Sequence, residues 1–407
     1  MRRVAWVLLL VFAFTIPWEY SLDLGAPLGN VARIAGFLVL LAAVPAVLQS
    51  GRLRRPGAMQ WVVLALVLWF SCSCFWSMDP MASWGRVRAY VQETMVVWLV
   101  WEFAESPGDL RALLRAYVAG SWVLAALTVA NLASPEAIAA GQIRFAAEGQ
   151  DPNDVARFLD MGFPMAALLF DGESRWPGRL LAAGYLPLGL IAVLLTASRG
   201  GFLAAIVALA GCAILLARGH PWRVIAGALA LPAIVAVLWF SVPHETLGRL
   251  ATILEQLRSK DLNQRMNIWS AGWHAFVQAP LVGRGAGSFV AAAGQAPIDT
   301  AHNTALSIVV GGGLCALFLA VAIVALAVRS ILQTQGALRL AMATGLLVWL
   351  VTSLVASVEE SRTTWLLLGL IAVAGRLAVE EPEELAACFP SSPRCPPPWP
   401  FEERRRT

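Results

Sequence analysis

Apolar runs of about 17 to 25 residues, the length that crosses a bilayer as a helix, recur from one end of this 407-residue chain to the other. They lie near 4–18, 31–49, 58–76, 87–104, 112–133, 155–170, 180–197, 201–217, 224–242, 304–328, 340–357 and 364–379. Hydrophobic residues make up 58% of the chain, charged residues 14%, and the mean hydropathy is +0.68. A water-soluble fold of this size has too little interior to hide that much apolar surface. The expectation is an all-α, polytopic integral membrane protein with about twelve transmembrane helices, surrounded by membrane lipids. A net charge of only +4 gives no footprint for nucleic acid.

The first run opens Met1-Arg2-Arg3 but leads into Pro17-Trp18-Glu19-Tyr20, not the small residues that signal peptidase cuts, so it is expected to stay as an anchor. Arg52, Arg54, Arg55, Arg111, Arg115, Arg175, Arg179, Arg218, Arg223, Arg329 and Arg339 fall in alternate short loops. Positive charge marks the cytoplasmic side, and an even helix count then places both termini there. Residues 1–379 form the helical domain; 380–407, rich in proline and charge, are expected to be a disordered cytoplasmic tail. Cys72, Cys74, Cys212 and Cys315 sit in apolar segments and Cys388 and Cys395 in the tail, so no disulfide is implied. No internal repeat supports a transporter built from paired halves.

On this topology one long loop, 243–303, faces away from the cytoplasm, and long ordered loops usually carry function. Leu247, Leu250, Leu254 and Leu257 predict an amphipathic helix, with Arg249 and Arg258 elsewhere on it. Asn263 is a good N-cap for a second helix that Pro280 stops, with Arg265, Trp269, Gly272 and Phe276 on one face. Gly283-Arg284-Gly285-Ala286-Gly287 reads either as a structural turn or as exposed backbone N–H groups facing an anion. His302 closes the loop where the chain re-enters the membrane, a costly place for an ionisable group without a chemical role. Asp299 could orient its imidazole.

Other candidates lie at outer mouths. Arg199 sits in the tight Ser198-Arg199-Gly200-Gly201 hairpin, either snorkelling to headgroups or binding an anion, and the same choice holds for Arg86 and Arg88. Asp151-Pro152-Asn153-Asp154 is a turn and N-cap, with Asn153 a candidate for a sugar hydroxyl. Glu359, Glu360 and Arg362 form a charged cluster at the last outer turn, read as structural. The sequence has no His-Glu-x-x-His, no Cys/His set, no Asp-x-Asp and no nucleophile elbow. What is left is arginine forks, which suit pyrophosphate, and an imidazole able to act as a base near neutrality.

Trp76-Ser77-Met78-Asp79-Pro80, Asp151-Pro152-Asn153, Ser198-Arg199-Gly200, Arg265 with Trp269, Pro280-Leu281-Val282-Gly283-Arg284-Gly285 and His302-Asn303 stand in an order that resembles the O-antigen ligase family, within a superfamily that includes O-antigen polymerases. Where many relatives carry an acidic residue nine positions after the histidine, this chain has Gly311. The resemblance implies a GT-C-like glycosyltransferase architecture in the bacterial inner membrane, with its site on the periplasmic face. It implies transfer of a glycan from undecaprenyl pyrophosphate to a sugar hydroxyl of lipid A-core, with inversion and without metal or other cofactor. His302, Arg199 and Arg265 would be catalytic, and Arg88, Arg86, Asn303, Asp299, Arg284, Asn153 and Trp269 would bind substrate. A polymerase of the same superfamily is the nearest rival. A flippase would need polar groups through the midplane, where Glu93 is an exception among nearly uncharged spans.

Overall fold

The computed structural model describes residues 1–25, 29–172, 176–218, 242–252, 265–296 and 300–389. The described residues build a helical bundle from α1 (Arg2–Thr15), α2 (Val31–Ser50), α3 (Ala58–Ser73), α4 (Pro80–Phe103), α5 (Pro107–Asn131), the short α6 (Pro135–Ala139), α7 (Pro152–Gly172), α8 (Trp176–Leu195) and α9 (Arg199–Ala217). After these come α10 (His244–Ala251), α11 (Arg265–Gln278), α12 (Phe289–Ala293), α13 (Thr304–Gln333), α14 (Gly336–Ser353), α15 (Arg362–Glu380) and α16 (Pro382–Cys388). Among the described residues nine helices are long and apolar enough to cross a membrane. α4 and α7, of 24 and 21 residues, add two more of spanning length. Eleven of the twelve expected spans therefore coincide with a helix. The twelfth, 224–242, lies almost wholly outside the described residues, as do Arg258 and the proposed cap Asn263.

Packing follows from where the chain is small or apolar on every side. α15 carries leucine, isoleucine, valine and alanine all round, and 83% of its spanning window is buried, so it forms the axis against which α4 and α13 pack. α7 plays the same part for α5, α8, α9 and α14. Small residues set the closest approaches, as is usual between membrane helices. A Cβ on Gly120 would lie 2.0 Å from the Phe14 carbonyl oxygen, and one on Gly211 would lie 2.3 Å from Thr344 Oγ1.

Polar contacts gather at the two ends of the bundle. At one end Arg2 bonds Glu102 and Glu105 at 2.9 and 2.8 Å, Arg111 covers the Phe389 ring at 5.0 Å, and Cys388 Sγ donates to Pro107 O at 3.4 Å. The start of the chain and residue 388 thus share an end, as an even number of crossings requires. α16 corrects the boundary at 380. Pro382 at its first turn with Glu383 and Glu384 favours helix initiation, and Leu385 and Phe389 are buried, so the stretch up to 389 docks on the bundle.

α13 is broken. Gly313 has φ 65° and ψ −164°, which interrupts the helix and frees backbone groups in its middle. The Pro280–Gly287 loop fills the break with its own backbone. Leu314 N donates to Pro280 O at 2.8 Å and Cys315 N to Leu281 O at 3.3 Å, while Arg284 N and Gly285 N donate to Val310 O and Gly311 O at 2.7 and 2.9 Å. Trp69 Nε1 reaches Gly312 O at 2.8 Å. Buried amides and carbonyls without partners are costly in an apolar surrounding, so an interrupted helix at this depth requires such a substitute. The fit demands glycine: a Cβ on Gly313 would fall 2.2 Å from Leu281 O, and one on Gly283 would fall 2.6 Å from the Gly311 carbonyl.

Candidate functional site

The other end of the bundle collects nearly every residue that the sequence singles out. The α8–α9 hairpin turns within Thr196–Arg199, and Ala197 takes φ 48°, a left-handed conformation that alanine seldom adopts. Ser198 Oγ caps α9 by accepting from Gly201 N at 3.2 Å and donates to Asn153 Oδ1 at 2.9 Å. Arg144 locks the same turn, with Nε on Thr196 O at 3.2 Å and a terminal nitrogen on Asn153 Oδ1 at 3.0 Å. Asn153 therefore serves as the junction that holds the Arg199 turn, its side-chain oxygen already bonded twice.

Arg199 points at α10, where it donates to Arg249 O at 3.2 Å and Thr252 Oγ1 at 2.6 Å. Arg249, placed by the sequence elsewhere on the amphipathic helix than its leucines, is half-buried near Arg199 and Arg144, its charge acting on both. Burial, then the charge of Arg249, pushes the Arg144 guanidinium below its ordinary value; Asp151 opposes this, and Arg199 and Arg265 add to it. Arg265, at the start of α11, is likewise lowered by burial with Asp151 in opposition. Four half-buried guanidinium groups, from Arg144, Arg199, Arg249 and Arg265, therefore share one neighbourhood, with the Asp151 carboxylate acting against them. Such crowding of like charge is costly in isolation and is relieved by a polyanion.

His302 stands on a second wall of this region. It has φ 46°, and Ala197 and His302 are the two non-glycine residues with positive φ among those described. Its Nδ1 lies 3.5 Å from Thr300 Oγ1. The segment is fixed from three sides. Trp269, one turn after Arg265, donates Nε1 to Ala301 O at 3.1 Å. Asn303 caps α13 through Leu306 N at 2.9 Å and donates to Leu354 O at 3.2 Å, and Thr304 Oγ1 donates to Ala356 O at 2.8 Å. The 354–356 turn also meets the Arg199 hairpin, because a Cβ on Gly200 would touch Val355 Cγ2 at 2.7 Å. His302, Arg265 and the Arg199 hairpin thus converge, although more than a hundred residues separate 199 from 302.

Other expected residues take different places. Arg86 forms an ion pair with Glu360 at 2.5 Å beneath the glycine loop, so its charge is matched by protein. Arg88, about 200° further round α4, is exposed. Arg284 donates to Gln278 Oε1 at 2.8 Å, and the N–H groups of Gly283, Arg284 and Gly285 are all spent on carbonyls, so the glycine loop is a structural device and not an anion nest. Asn303 and Trp269 act as cap and tether, with their polar atoms already engaged. Asp299 lies outside the described residues. Arg144 and the half-buried place of Arg249 were not legible in advance, since neither stands at a spacing that marks a site.

Below this layer lie two ion pairs. Arg362 bonds Glu19, both buried, and Arg157 bonds Asp154 at 3.2 Å. Glu359 is buried beside Thr304 and Ser307 and its carboxyl is raised by burial, then by Glu360. Among the described residues no group of histidine, cysteine and carboxylate side chains is arranged to hold a metal ion.

Residues 184–321 match the family model described as O-antigen ligase. The matched stretch holds Arg199, Arg249, Arg265, Trp269, Arg284, His302 and Asn303, whereas Arg86, Arg88, Arg144 and Asn153 precede it. Comparison with curated proteins finds no match.

Proposed function

We propose, from the match of residues 184–321 to the O-antigen ligase family model, that this membrane protein transfers a preassembled glycan from undecaprenyl pyrophosphate to a sugar hydroxyl of lipid A-core, at the periplasmic face of the inner membrane. The observation that carries this reading is the convergence of four arginines beside the turn that also contacts the His302 segment.

The chemistry follows from those groups. His302, with its imidazole neutral, accepts the proton of the acceptor hydroxyl as that oxygen attacks the anomeric carbon of the donor sugar. The bond from that carbon to the pyrophosphate oxygen breaks, and undecaprenyl pyrophosphate departs with the electron pair. Attack from the face opposite the leaving group inverts the anomeric centre. Arg199 and Arg265 supply directed, charge-assisted hydrogen bonds that strengthen as negative charge develops on the leaving group, while Arg144 and Arg249 deepen the positive potential. The donor carries its own activation, so neither a nucleotide nor a metal enters the scheme.

The test is reconstitution of the purified chain with a defined undecaprenyl-pyrophosphate-linked glycan and lipid A-core. Transfer to the core, abolished by His302→Ala at unchanged protein level, is the expected result. Elongation of the glycan on its own polyprenyl carrier would replace the ligase reading with polymerase activity, and glycan translocation without transfer would replace it with export.

A further inference from the structure

The end of the bundle remote from His302 contains a polar recess that the proposed reaction does not use. It is a cavity of about 290 Å³ between the first turn of α3, the last turns of α13 and the last turns of α15, lined in part by Gln60, Trp101, Leu326, Arg329, Arg376 and Glu380. Its charges are unevenly spent. Arg376 places its terminal nitrogens on Trp101 O, at 3.1 Å, and on Ala104 O, and Glu380 lies 3.4 Å from Arg376 and 3.6 Å from Arg54. Arg329, exposed at the rim, forms no ion pair among the described residues.

A second donor is idle. Gln60 is wholly buried in the cavity wall, where its Oε1 accepts from Gly57 N at 3.0 Å and closes the start of α3. Its Nε2 has no acceptor. Leaving a buried N–H donor unmatched is costly, and a bound oxygen acceptor removes that cost. The depth of the recess restricts what that acceptor can be. Arg329 and Arg376 each sit one turn from the end of a spanning helix, and Gln60 is the third residue of another, so all three lie near headgroup depth. Trp101, stacked 4.9 Å beneath the Arg376 guanidinium, has the placement typical of indoles at a membrane interface. Basic clefts between spanning helices at this level suit anionic headgroups.

We infer that this recess binds the phosphate headgroup of an anionic phospholipid from the leaflet on that side, its oxygens accepting from Arg329 and Gln60 Nε2 and one acyl chain lying along Leu326. The site is separate from glycan transfer and stands or falls without it. The probe is phosphatidylglycerol added to the purified full chain in neutral detergent, read by native mass spectrometry and by the thermal unfolding midpoint. Saturable retention of one phosphatidylglycerol, with a raised midpoint, is expected. Arg329→Ala, a surface change that leaves the core intact, should weaken retention about tenfold, the loss of one charge-assisted contact. Arg52→Ala, which removes an exposed arginine at the same end but outside the recess, should leave it unchanged. Gln60→Met should weaken it as well, and if that variant does not fold, Arg329→Ala decides alone. Equal loss in the Arg52 and Arg329 variants, equal stabilisation by phosphatidylcholine, or the same effect from inorganic phosphate would each overturn the inference.

Discussion

Lysine in place of arginine keeps the charge but removes the planar fork, so it separates a directed clamp from diffuse attraction. Arg199→Lys and Arg265→Lys should each lower the transfer rate about a hundredfold to a thousandfold, by analogy with loss of an oxyanion-hole donor. Arg88→Lys, at an exposed position, should change the rate little. Assay of the three variants at equal protein level checks this; equal losses would point to general attraction for an anionic surface. Glu359 offers a test by pH. Its carboxyl is raised by burial, so the folded state holds it protonated at acidic pH at no cost, and that stability is lost as pH rises through the raised value. Glu359→Gln should therefore raise the unfolding midpoint at pH 8 relative to the parent and have little effect at pH 5. His302, Arg199 and Arg265 could be singled out from sequence because each stands beside a helix terminus or a tight turn at a membrane border. Arg144 could not, because its importance arises from Asn153 and Thr196, which only the folded chain brings to it.

At the level of elements, the hairpin joining α8 to α9 is held by a cap and a bracket. Ser198→Ala removes the N-cap of α9 and the bond to Asn153, and should cost about 1 kcal/mol of stability. Because Arg199 follows directly, the same change should lower transfer while Ser198→Thr, which keeps the hydroxyl, should largely restore it. The glycine loop and the broken α13 are a second such unit. Gly313→Ala would force a Cβ toward Leu281 O at a positive φ, and should lower both the amount of folded protein and its unfolding midpoint, a change that detergent-solubilised thermal unfolding measures directly. The periodicity of residues 304–328 announces one continuous helix, and nothing in it reveals a break. The three consecutive glycines Gly311-Gly312-Gly313 were the available signal, but their meaning depends on a loop some thirty residues earlier in the chain.

Across the whole molecule, the placement of the eleven spans that fall on described residues was readable because a bilayer imposes a fixed length on each helix, a constraint that acts locally. The separation of polar contacts into two ends followed from the same constraint. Tertiary choices were less accessible, such as α15 at the axis or α16 docked where composition favours an unstructured tail. The proposed chemistry calls for no metal, so transfer should proceed unchanged in excess EDTA; activity lost to the chelator and restored by magnesium would show a site built in part from residues outside those described. The stitched helix has one further consequence. The amide hydrogens of Leu314 and Cys315 lie in the middle of an apolar helix yet answer to Pro280 and Leu281, so they act as a clock for the loop and not for the helix. If engagement of the donor lifts that loop, deuterium should enter at 314 and 315 while amides a turn deeper stay protected, and unchanged labelling with and without donor would mean that the outer third of α13, His302 and the loop stay fixed as one plate throughout the reaction cycle.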